Sequence, residues 1–328
     1  MHDVQSYCYD FLCDDDRLGR SGGGTSTAAD YPERPVRVIV PGPPGGAPDL
    51  GTRMIAAELT RQMGKQFVVD NRPGASGSIA TEMIARAVPD GYTIGQGNFG
   101  SLGTNRSLLP KLPYDPDRDI QPVAQFSVVP NILAVTMSLP VKSVQELIAY
   151  ARKNPDKLLF ASGGNGTSHH LAGELFKRMT GTQMTHVPYK GSPQGITDLI
   201  GGQVHLIFDV ASSIGPHVRG GRVRGLAITS AKPSPSYPAL PTVAESGVPN
   251  FEVIAWAGMI APGGVSKSIV SRLNAEVNKA LATATVREQY AIAGTVPIGG
   301  TPEAFAAHIK REVVKWAEVI KGANIKAD

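Results

Sequence analysis

The residues whose types and spacing suggest ligand chemistry lie in three glycine-containing segments. These segments are PGPPGGAPD (residues 41–49), GQGNFGS (residues 95–101) and GGNGTSHH (residues 163–170). Each follows a short apolar run, and the first and third lead into clear helical patterns. A glycine turn between a strand and a helix is a common way to hold an anion on backbone N–H groups. The three segments therefore predict an anion site.

A nucleotide phosphate is the first candidate for that anion, and the spacing argues against it. No lysine follows the glycines of residues 41–49, as the P-loop pattern requires. Gly95, Gly97 and Gly100 do match the dinucleotide-binding pattern, with aspartates at residues 115–119 near the spacing of a ribose contact. That pattern normally follows the first strand of its unit, whereas here it follows the third predicted strand. We interpret the anion as a carboxylate; a proline-stiffened turn without a ligand is the alternative.

A metal site is a second candidate, and its possible ligands are found at the end of the third segment and just beyond it. His170 and Glu174 are four residues apart and can share one face of a helix. Two ligands without a third do not define a metal site, so no metal is predicted. We expect instead that Thr167 or Ser168 caps the helix and that His170 orients the preceding loop through a hydrogen bond.

A hydrolase is a third candidate, and the expected motifs are absent from the sequence. There is no G-x-S-x-G elbow, no S-x-x-K and no H-E-x-x-H. A triad of Ser76, His186 and Asp209 has nothing in the sequence that ties the three positions together. Asp209 lies near the end of a predicted buried strand, HLIFDV, and two interpretations stay open. It is either a satisfied structural carboxylate or a ligand contact that receives an ammonium or hydroxyl group.

Strand and helix patterns alternate around these segments. A strand is predicted at Val36 to Val40, and a helix from about Asp49 to Met63 with Asp49 as its N-cap. Further strands are predicted in QFVVD, TIGQ, KLLFAS, HLIFDV and RGLAITS. Ser143 with Glu146 forms a capping-box pattern, and Thr301 before Pro302 opens a C-terminal helix. This alternation predicts parallel sheets covered by helices on both faces.

The composition fits two domains with buried cores. The chain has 328 residues, of which 41% are hydrophobic and 18% are charged. No apolar run reaches the roughly 18 residues of a membrane-spanning helix. Ligands of open α/β sheets bind beyond the carboxyl ends of the strands. Glycine segments in both halves of the chain therefore predict a cleft between two lobes.

Residues 1–30 differ from the rest of the chain. They contain both cysteines, Cys8 and Cys13, and a Gly/Ser/Thr-rich stretch, but no basic region followed by an apolar one. We predict a disordered, non-native leader or tag that replaces a signal peptide; a native disordered tail is the alternative. These residues hold two of the 32 basic and six of the 28 acidic residues of the chain. The body from Tyr31 therefore carries 30 basic and 22 acidic residues, which is a net charge of +8.

The charge and cysteine content of the body limit its partners. A mildly basic surface steers small anionic ligands weakly. The Lys and Arg residues form no cluster of the kind that nucleic-acid binding needs, so no nucleic acid is predicted. The body has no cysteine, which excludes a disulfide framework, a thiolate nucleophile and a cysteine zinc site there.

Taken together, these segments resemble one family, the periplasmic substrate-binding receptors of tripartite tricarboxylate transporters, also called Bug receptors. The resemblance covers the body from Tyr31. It rests on YPERPVRVIVPGPPGGAPD, VVDNRPGASGSIATEMIARAVPDGYTI, GNGTSHHLAGELF and HVPYKG, followed by RGLAITS, PALPTVAESGVPNFEV, WAGMIAPGG and GTPEAF. Many ordered matches of this kind are far more specific than any single motif.

The resemblance implies an α/β fold of the periplasmic binding protein type (type II, or Venus flytrap), with the ligand in the cleft. Residues 31–130 with 250–328 would form the first lobe, and residues 131–249 the second. The family implies no catalytic machinery and no cofactor. Its ligands are small carboxylates, held largely by backbone N–H groups and ordered water near the first segment.

The resemblance also implies which residues contact the ligand. In the first lobe these are Pro44, Gly45, Gly46, Ala47, Asp49, Ser76, Gly77, Asn98, Gly100 and Ser101. In the second lobe they are Gly164, Asn165, Gly166, Thr167 and His170, with Tyr189 and Asp209 at the distal end of the ligand. Many members carry an aromatic residue where this chain has Gly42, so the shape of that wall is expected to differ.

The sequence thus predicts a monomeric periplasmic receptor that captures a small carboxylate and docks on membrane permease subunits. If Asp209 faces the cleft, an amino dicarboxylate such as aspartate or glutamate is the expected ligand; a plain dicarboxylate and an aromatic acid stay open. The alternatives are an α/β enzyme, either a nucleotide-dependent oxidoreductase or a hydrolase, and a sensor receptor that feeds a signalling kinase.

Overall fold

A computed structural model describes residues 31–322 and residue 325. The predicted leader, residues 1–30, lies outside the described residues. Across the described ranges, every helix is too short or too polar to cross a bilayer.

Ten strands occur in the described part of the chain, and they form one curled sheet. They are β1 (Val36–Val40), β2 (Phe67–Asn71), β3 (Thr93–Asn98), β4 (Ile120–Val135), β5 (Leu159–Ser162), β6 (Thr185–Pro188), β7 (Leu206–Val210), β8 (Arg224–Ile228), β9 (Ile254–Pro262) and β10 (Val296–Gly299).

Ten α-helices connect these strands within the same described ranges. They are α1 (Ala47–Met63), α2 (Ser78–Ala85), α3 (Asn105–Leu108), α4 (Val144–Lys153), α5 (Ser168–Thr180), α6 (Ser192–Ile200), α7 (Ala211–Arg219), α8 (Lys267–Ala282), α9 (Ala284–Ala293) and α10 (Pro302–Gly322). A 3-10 turn at Ala75–Gly77 precedes α2, and a π-helical turn at Phe99–Thr104 precedes α3.

The strand order along the sheet is β2-β1-β3-β9-β4-β7-β5-β6, with β8 and β10 also paired to β4. The expectation of parallel sheets holds at the two ends, where β1 pairs in parallel with β2 and β3, and β5 with β6 and β7. It is wrong at the centre, because β4 and β9 run antiparallel to each other and to their other neighbours. We refer to the part built on β1–β3 as the first lobe and the part built on β5–β8 as the second lobe.

The two lobes are joined through β4, a strand of 16 residues. It pairs with β9 as far as Pro130, and from Asn131 it pairs with β7 and β8. The change of partners falls at residues 130–131, where the sequence places one lobe boundary. Proline cannot donate to a ladder, and Pro122 lies beside a shift of register in this strand. The numbered division into lobes itself stays a prediction.

The core lies on both faces of the sheet, as alternation along the strands requires. In β4, Leu133 and Val135 pack into one apolar cluster, which also contains Phe160 and Phe208. Ile132 and Ala134 point to the opposite face and pack with the α6, α7 and β7 side chains of another cluster. These fully buried strands fix the positions from which the neighbouring loops extend.

Several predicted element ends are confirmed, and one is wrong. Ser143 and Thr167 accept the capping bonds of α4 and α5, and the Thr301 hydroxyl accepts from the Ala304 N–H at the start of α10. The predicted N-cap at Asp49 is incorrect, since α1 begins at Ala47 with Gly46 as its N-cap. The carboxylate of Asp49 lies in the first turn and bonds back to the Gly45 N–H instead.

Candidate functional site

A cavity of about 700 Å³ lies between the two lobes. The loops after β1, β3, β5 and β6 line it, and so does the start of α7 directly after β7. Phe126, Ser127 and Ala255 of the central strands β4 and β9 also line it. The cavity is therefore at the carboxyl ends of the parallel strands, as expected for a ligand cleft in an α/β protein.

Within residues 31–322, five α-helices have an N-cap residue that lines this cavity. The N-cap residues of α1, α2, α5, α6 and α7 are Gly46, Gly77, Thr167, Gly191 and Val210, and all five line it. With the exception of Thr167, none of these residues caps its helix with a side chain. The first N–H groups of a helix have no intrahelical acceptor, and the helix dipole makes this end positive. The cavity therefore presents an array of N–H donors that suits an anion.

The first glycine segment uses part of its N–H groups internally. The Gly45 N–H donates to Asp49 Oδ2 at 2.9 Å, and the Gly46 N–H donates to the Pro43 carbonyl at 3.1 Å. The N–H groups predicted at Gly45 and Gly46 are thus committed to the loop. In the first turn of α1, Ala47 and Asp49 keep N–H groups without an intrahelical acceptor, and of these two residues Ala47 lines the cavity. Pro44, Gly45 and Asp49 do not line the cavity.

Asp49 holds the shape of this segment. Its Oδ1 accepts from Arg53 Nε at 2.8 Å and from Asn71 Nδ2 at 2.9 Å, and Asn71 Nδ2 also donates to the Gly42 carbonyl. Burial opposes ionisation of Asp49, but the hydrogen bonds from Arg53, Gly45 and Asn71 outweigh it and hold its pKa below the usual value. The carboxylate therefore acts on the loop and not on the cavity.

The turn that contains Ser76 is held in an unusual backbone conformation. Gly74, Ala75, Ser76 and Gly77 have φ angles of 123°, 45°, 51° and 93°. Positive φ is costly for residues with a Cβ and is found where surrounding structure enforces it. A Cβ at Gly100 would lie 2.5 Å from the Ser76 carbonyl oxygen, so this close approach requires glycine.

The two lobes touch across the cavity at several points. The Ser76 hydroxyl donates to the Asn165 carbonyl, and the Thr104 hydroxyl donates to the Gly166 carbonyl at 2.7 Å. A Cβ at Gly191, where φ is +116°, would lie 2.7 Å from the ring of Pro43. These contacts connect the loops of the first lobe to the third glycine segment and to the start of α6.

In the second lobe, a buried carboxylate positions two residues of the cavity wall. Asp209 is 0% exposed and does not itself line the cavity. Its Oδ1 accepts from Ser192 Oγ at 3.0 Å and lies 3.1 Å from His169 Nε2. Burial raises the pKa of Asp209, while His169 and the bonds from Ser192 and the Val210 N–H oppose that rise. His169 Nδ1 accepts from the Gly163 N–H at 3.1 Å, which extends the network to the third segment.

Tyr189 and His170 are also tied to neighbouring residues. The Tyr189 ring lines the cavity, but its hydroxyl donates to Asp198 at 2.7 Å. Burial and then Asp198 raise the pKa of Tyr189 to about 12. His170 lies behind the wall, stacks on His186 at 4.3 Å and accepts from the Gly166 N–H, which confirms the predicted role of orienting the loop.

The structure brings most of the predicted site residues to one cavity. Those that line it are Gly46, Ala47, Ser76, Gly77, Asn98, Gly100, Gly164, Asn165, Thr167 and Tyr189. The others lie behind the wall or beside it, namely Pro44, Gly45, Asp49, Ser101, Gly166, His170 and Asp209.

The sequence interpretation missed several residues of the wall. Lys190 and Arg219 are the lining residues of the described chain that carry a permanent positive charge, and His169 and Ser192 were also missed. Lys190 follows Tyr189 in HVPYKG, so its position was available in the sequence. Arg219 lies at the end of α7, and nothing in the local sequence indicates that α7 faces the cleft.

Metal, dinucleotide and triad chemistry receive no support from the geometry. Residues 31–322 and 325 contain no group of three His, Cys, Asp or Glu side chains arranged to hold a metal. Gly95 and Gly97 lie inside β3 and not in a turn. Asp209 contacts His169, whereas His186 Nε2 lies 2.6 Å from Ser162 Oγ, so Ser76, His186 and Asp209 do not form a triad.

Comparison with known sequences agrees with this site. Residues 52–325 match the profile of the family described as "Tripartite tricarboxylate transporter family receptor". The chain belongs to this receptor family. It is 36% identical to Protein BugT of Bordetella pertussis over 313 residues, which are 94% of this chain and 96% of that protein.

Solved structures of receptors of this type superpose closely. "R. palustris Rpa4515 with adipate" has a TM-score of 0.89 and 42% identity, and the alignment covers 90% of this chain and 99% of that one. "MatC (Rpa3494) from Rhodopseudomonas palustris with bound malate" has a TM-score of 0.85 and 33% identity, with 88% and 100% covered. The fold is therefore that of a periplasmic solute-binding protein with two α/β lobes. Members of the receptor family bind solutes and are not enzymes.

Proposed function

We propose that this receptor captures a small dicarboxylate outside the cytoplasm, in the periplasm, and delivers it to the permease subunits of a tripartite tricarboxylate-type transporter. One observation carries the proposal: helix N-termini of both lobes converge on a single cavity. Those of α1 and α2 belong to the first lobe, and those of α5, α6 and α7 to the second. A ligand with an anionic group at each end would interact with both sets.

Two structural relatives support the ligand class. One was solved with adipate and the other with bound malate, and both of these molecules are dicarboxylates. Charge-assisted hydrogen bonds from N–H groups to a carboxylate contribute roughly 1.5–3 kcal/mol each. A few such bonds at each end therefore supply useful affinity without a salt bridge.

The amino dicarboxylates aspartate and glutamate are less favoured by the charges of the wall. An ammonium group needs an acceptor, and Asp209, the candidate from the sequence, is buried behind His169 and Ser192. Among the described residues that line the cavity there is no Asp or Glu. Five helix N-termini add positive potential, which disfavours an ammonium further. We therefore propose a dicarboxylate without an amino group.

Binding would favour the closed arrangement of the lobes. The direct contacts Ser76–Asn165 and Thr104–Gly166 already connect the two sides. A ligand that bonds to both sets of N–H groups stabilises this closed arrangement but not an open one, in which it can reach only one set. The permease subunits would recognise the closed form.

Calorimetry on protein freed of ligand by unfolding and refolding tests this function. Malate, succinate and adipate would be titrated beside aspartate, glutamate and the dimethyl ester of adipate. We expect micromolar or tighter binding of at least one plain dicarboxylate, at least about tenfold weaker binding of the amino acids, and no binding of the ester. Preferential binding of aspartate or glutamate would contradict the proposed ligand class. Failure of every dicarboxylate would contradict the function.

A further inference from the structure

The cavity extends beyond the helix N-termini along three helices. Leu50 and Met54 of α1, Ser212 and Arg219 of α7, and Ile292 of α9 all line it. Its volume of about 700 Å³ is in the range that encloses ligands much larger than a short diacid. We call this extension between α1, α7 and α9 the outer compartment.

The outer compartment differs in chemistry from the region of the N-termini. Leu50, Met54 and Ile292 give it apolar side chains, of which Leu50 and Ile292 are 48% and 61% exposed. Gln289 and Thr295 add polar groups, and its lining contains no further helix start. Ser212 lies in the first turn of α7, whereas Arg219 is the last residue of that helix. Seven residues of helix separate them, which is about 10 Å. The compartment thus leads from an anion site, past apolar side chains, to a cation.

The Arg219 side chain is fixed by a buried tyrosine. Its Nη1 donates to the Tyr237 hydroxyl at 2.7 Å, and its guanidinium carbon lies 5.1 Å from the centre of the Tyr237 ring. Tyr237 is 4% exposed, and its hydroxyl donates in turn to the Ala211 carbonyl at 3.0 Å. In the described part of the chain no carboxylate lies within 4.0 Å of Arg219. A guanidinium has five N–H donors, and the bond to Tyr237 uses one of them.

We propose that the outer compartment accepts the distal half of a long-chain α,ω-dicarboxylate, with Arg219 as the residue that binds the far carboxylate. The first carboxylate stays at the helix N-termini, the methylene chain lies against Leu50 and Met54, and the far carboxylate meets the guanidinium. A short diacid uses the N-termini alone. This inference rests on the proposed function and deepens it by naming the length of ligand that the cavity selects.

A titration series separates chain length from charge. Succinate, adipate, suberate and sebacate would be titrated by calorimetry into the wild type, Arg219→Gln and Arg219→Lys, with octanoate as the ligand that lacks the far carboxylate. Arg222→Gln is the matched control, because Arg222 lies just beyond α7 and does not line the cavity. The melting temperature of each variant without ligand reports on folding.

We expect Arg219→Gln to weaken suberate or sebacate binding by about threefold to tenfold and to change succinate binding by less than about twofold. Arg219→Lys should lose less affinity for the long diacids than Arg219→Gln. Arg222→Gln should bind every diacid as the wild type does. Octanoate should bind with the same affinity to the wild type and to both Arg219 variants. Equal weakening of short and long diacids would overturn the inference, since a structural role of Arg219 at the end of α7 predicts that result.

Two other outcomes distinguish this inference from the proposed function. If the wild type binds succinate or malate but neither suberate nor sebacate, the inference is wrong and the function stands. If the wild type binds no diacid of any length, both are wrong.

Discussion

The Thr104 hydroxyl of the first lobe donates a hydrogen bond of 2.7 Å to the Gly166 carbonyl of the second. Thr104 is fully buried at the end of the π-helical turn, and Gly166 has a φ of +80° beside the N-cap of α5. A Cβ at Gly166 would lie 2.7 Å from Asn105 Oδ1, so glycine is required for this approach. The bond therefore joins the lobes in the arrangement that encloses the cavity.

Removal of this bond should favour the open form. Thr104→Val keeps the shape of the side chain and leaves the Gly166 carbonyl without its donor. We expect ligand affinity to fall by about twofold to tenfold, mainly through faster dissociation. Stopped-flow measurement of the dissociation rate tests this. Thr197→Val, on the exposed part of α6, is the control and should dissociate from ligand at the rate of the wild type. An unchanged dissociation rate in Thr104→Val would mean that the bond does not influence closure of the lobes.

The buried Asp209 should be required for the wall of the second lobe. Asp209→Asn retains the volume of the side chain but replaces one oxygen of the carboxyl group that contacts His169 and Ser192 with an NH2 donor. We expect affinity to fall by at least about tenfold, because both neighbours line the cavity and lose their fixed positions. Calorimetry measures this change, with Asp156→Asn as the control for loss of an exposed carboxylate of the second lobe that does not line the cavity. A variant that binds as tightly as the wild type would show that Asp209 has a purely structural role.

Asp49 should contribute stability that depends on pH. Its pKa is lowered in the folded protein, so its contribution is complete above the unfolded value of about 3.9 and disappears as the pH falls through the folded pKa. We expect Asp49→Asn to lower the free energy of unfolding by about 1–3 kcal/mol at pH 7. Urea unfolding across the acid range should show the difference from the wild type shrinking towards low pH.

The control for this prediction is a carboxylate of the surface. Asp117 pairs with Arg106, but its side chain is 64% exposed, and such salt bridges contribute little. Asp117→Asn should therefore match the wild type at every pH. A difference between Asp49→Asn and the wild type that stays constant with pH would assign the effect of Asp49 to packing instead of charge.

Gly42 offers a test of the cavity wall. It lines the cavity, and a Cβ built on it would lie 3.0 Å from Pro48 Cγ. Gly42→Tyr should narrow the space beside the start of α1 and weaken ligand binding by at least about tenfold, at a modest cost in stability from the contact with Pro48. Calorimetry and thermal unfolding measure the two effects. Gly201→Ala is the conservative control, because Gly201 does not line the cavity and a Cβ there would meet its nearest atom at 3.5 Å.

Much of the peripheral fold could be predicted from local patterns. Val36–Val40 was predicted at its observed bounds, and the caps at Ser143 and Thr167 were found from hydrogen-bonding residue types alone. These features depend on residues close in the sequence. The glycine segments also lie at the cavity, because each of them follows a strand directly or contains its carboxyl end.

The centre of the sheet could not be predicted in this way. Pro122 and Pro130 argue against a strand locally, and β4 exists because β9, more than 100 residues away, pairs along it. Pro216 lies inside α7 for a similar reason, since the packing of α7 against β4 outweighs the low helix propensity of proline. The contact of Arg219 with the cavity follows from the direction of α7, which is a tertiary property.

Asp49 and Asp209 show a related limit of prediction from sequence, which concerns the orientation of a side chain. Both were considered for direct contact with the ligand because they are acidic residues at the ends of strands or helices. The structure shows both carboxylates bonded to backbone N–H groups and neighbouring side chains, behind the residues that line the cavity. Residue type indicated their importance, while orientation depended on partners far along the chain.

The convergence of five helix N-termini has a consequence for the conditions under which the receptor works. Backbone N–H groups neither gain nor lose protons in the physiological range, and partners shielded from bulk solvent are screened little by salt. A receptor that works outside the cytoplasm, as we propose for this chain, is exposed to the ionic strength and acidity of its surroundings. Capture by fixed dipoles would therefore vary little with ionic strength, and little with pH as long as the carboxylates of the ligand stay ionised.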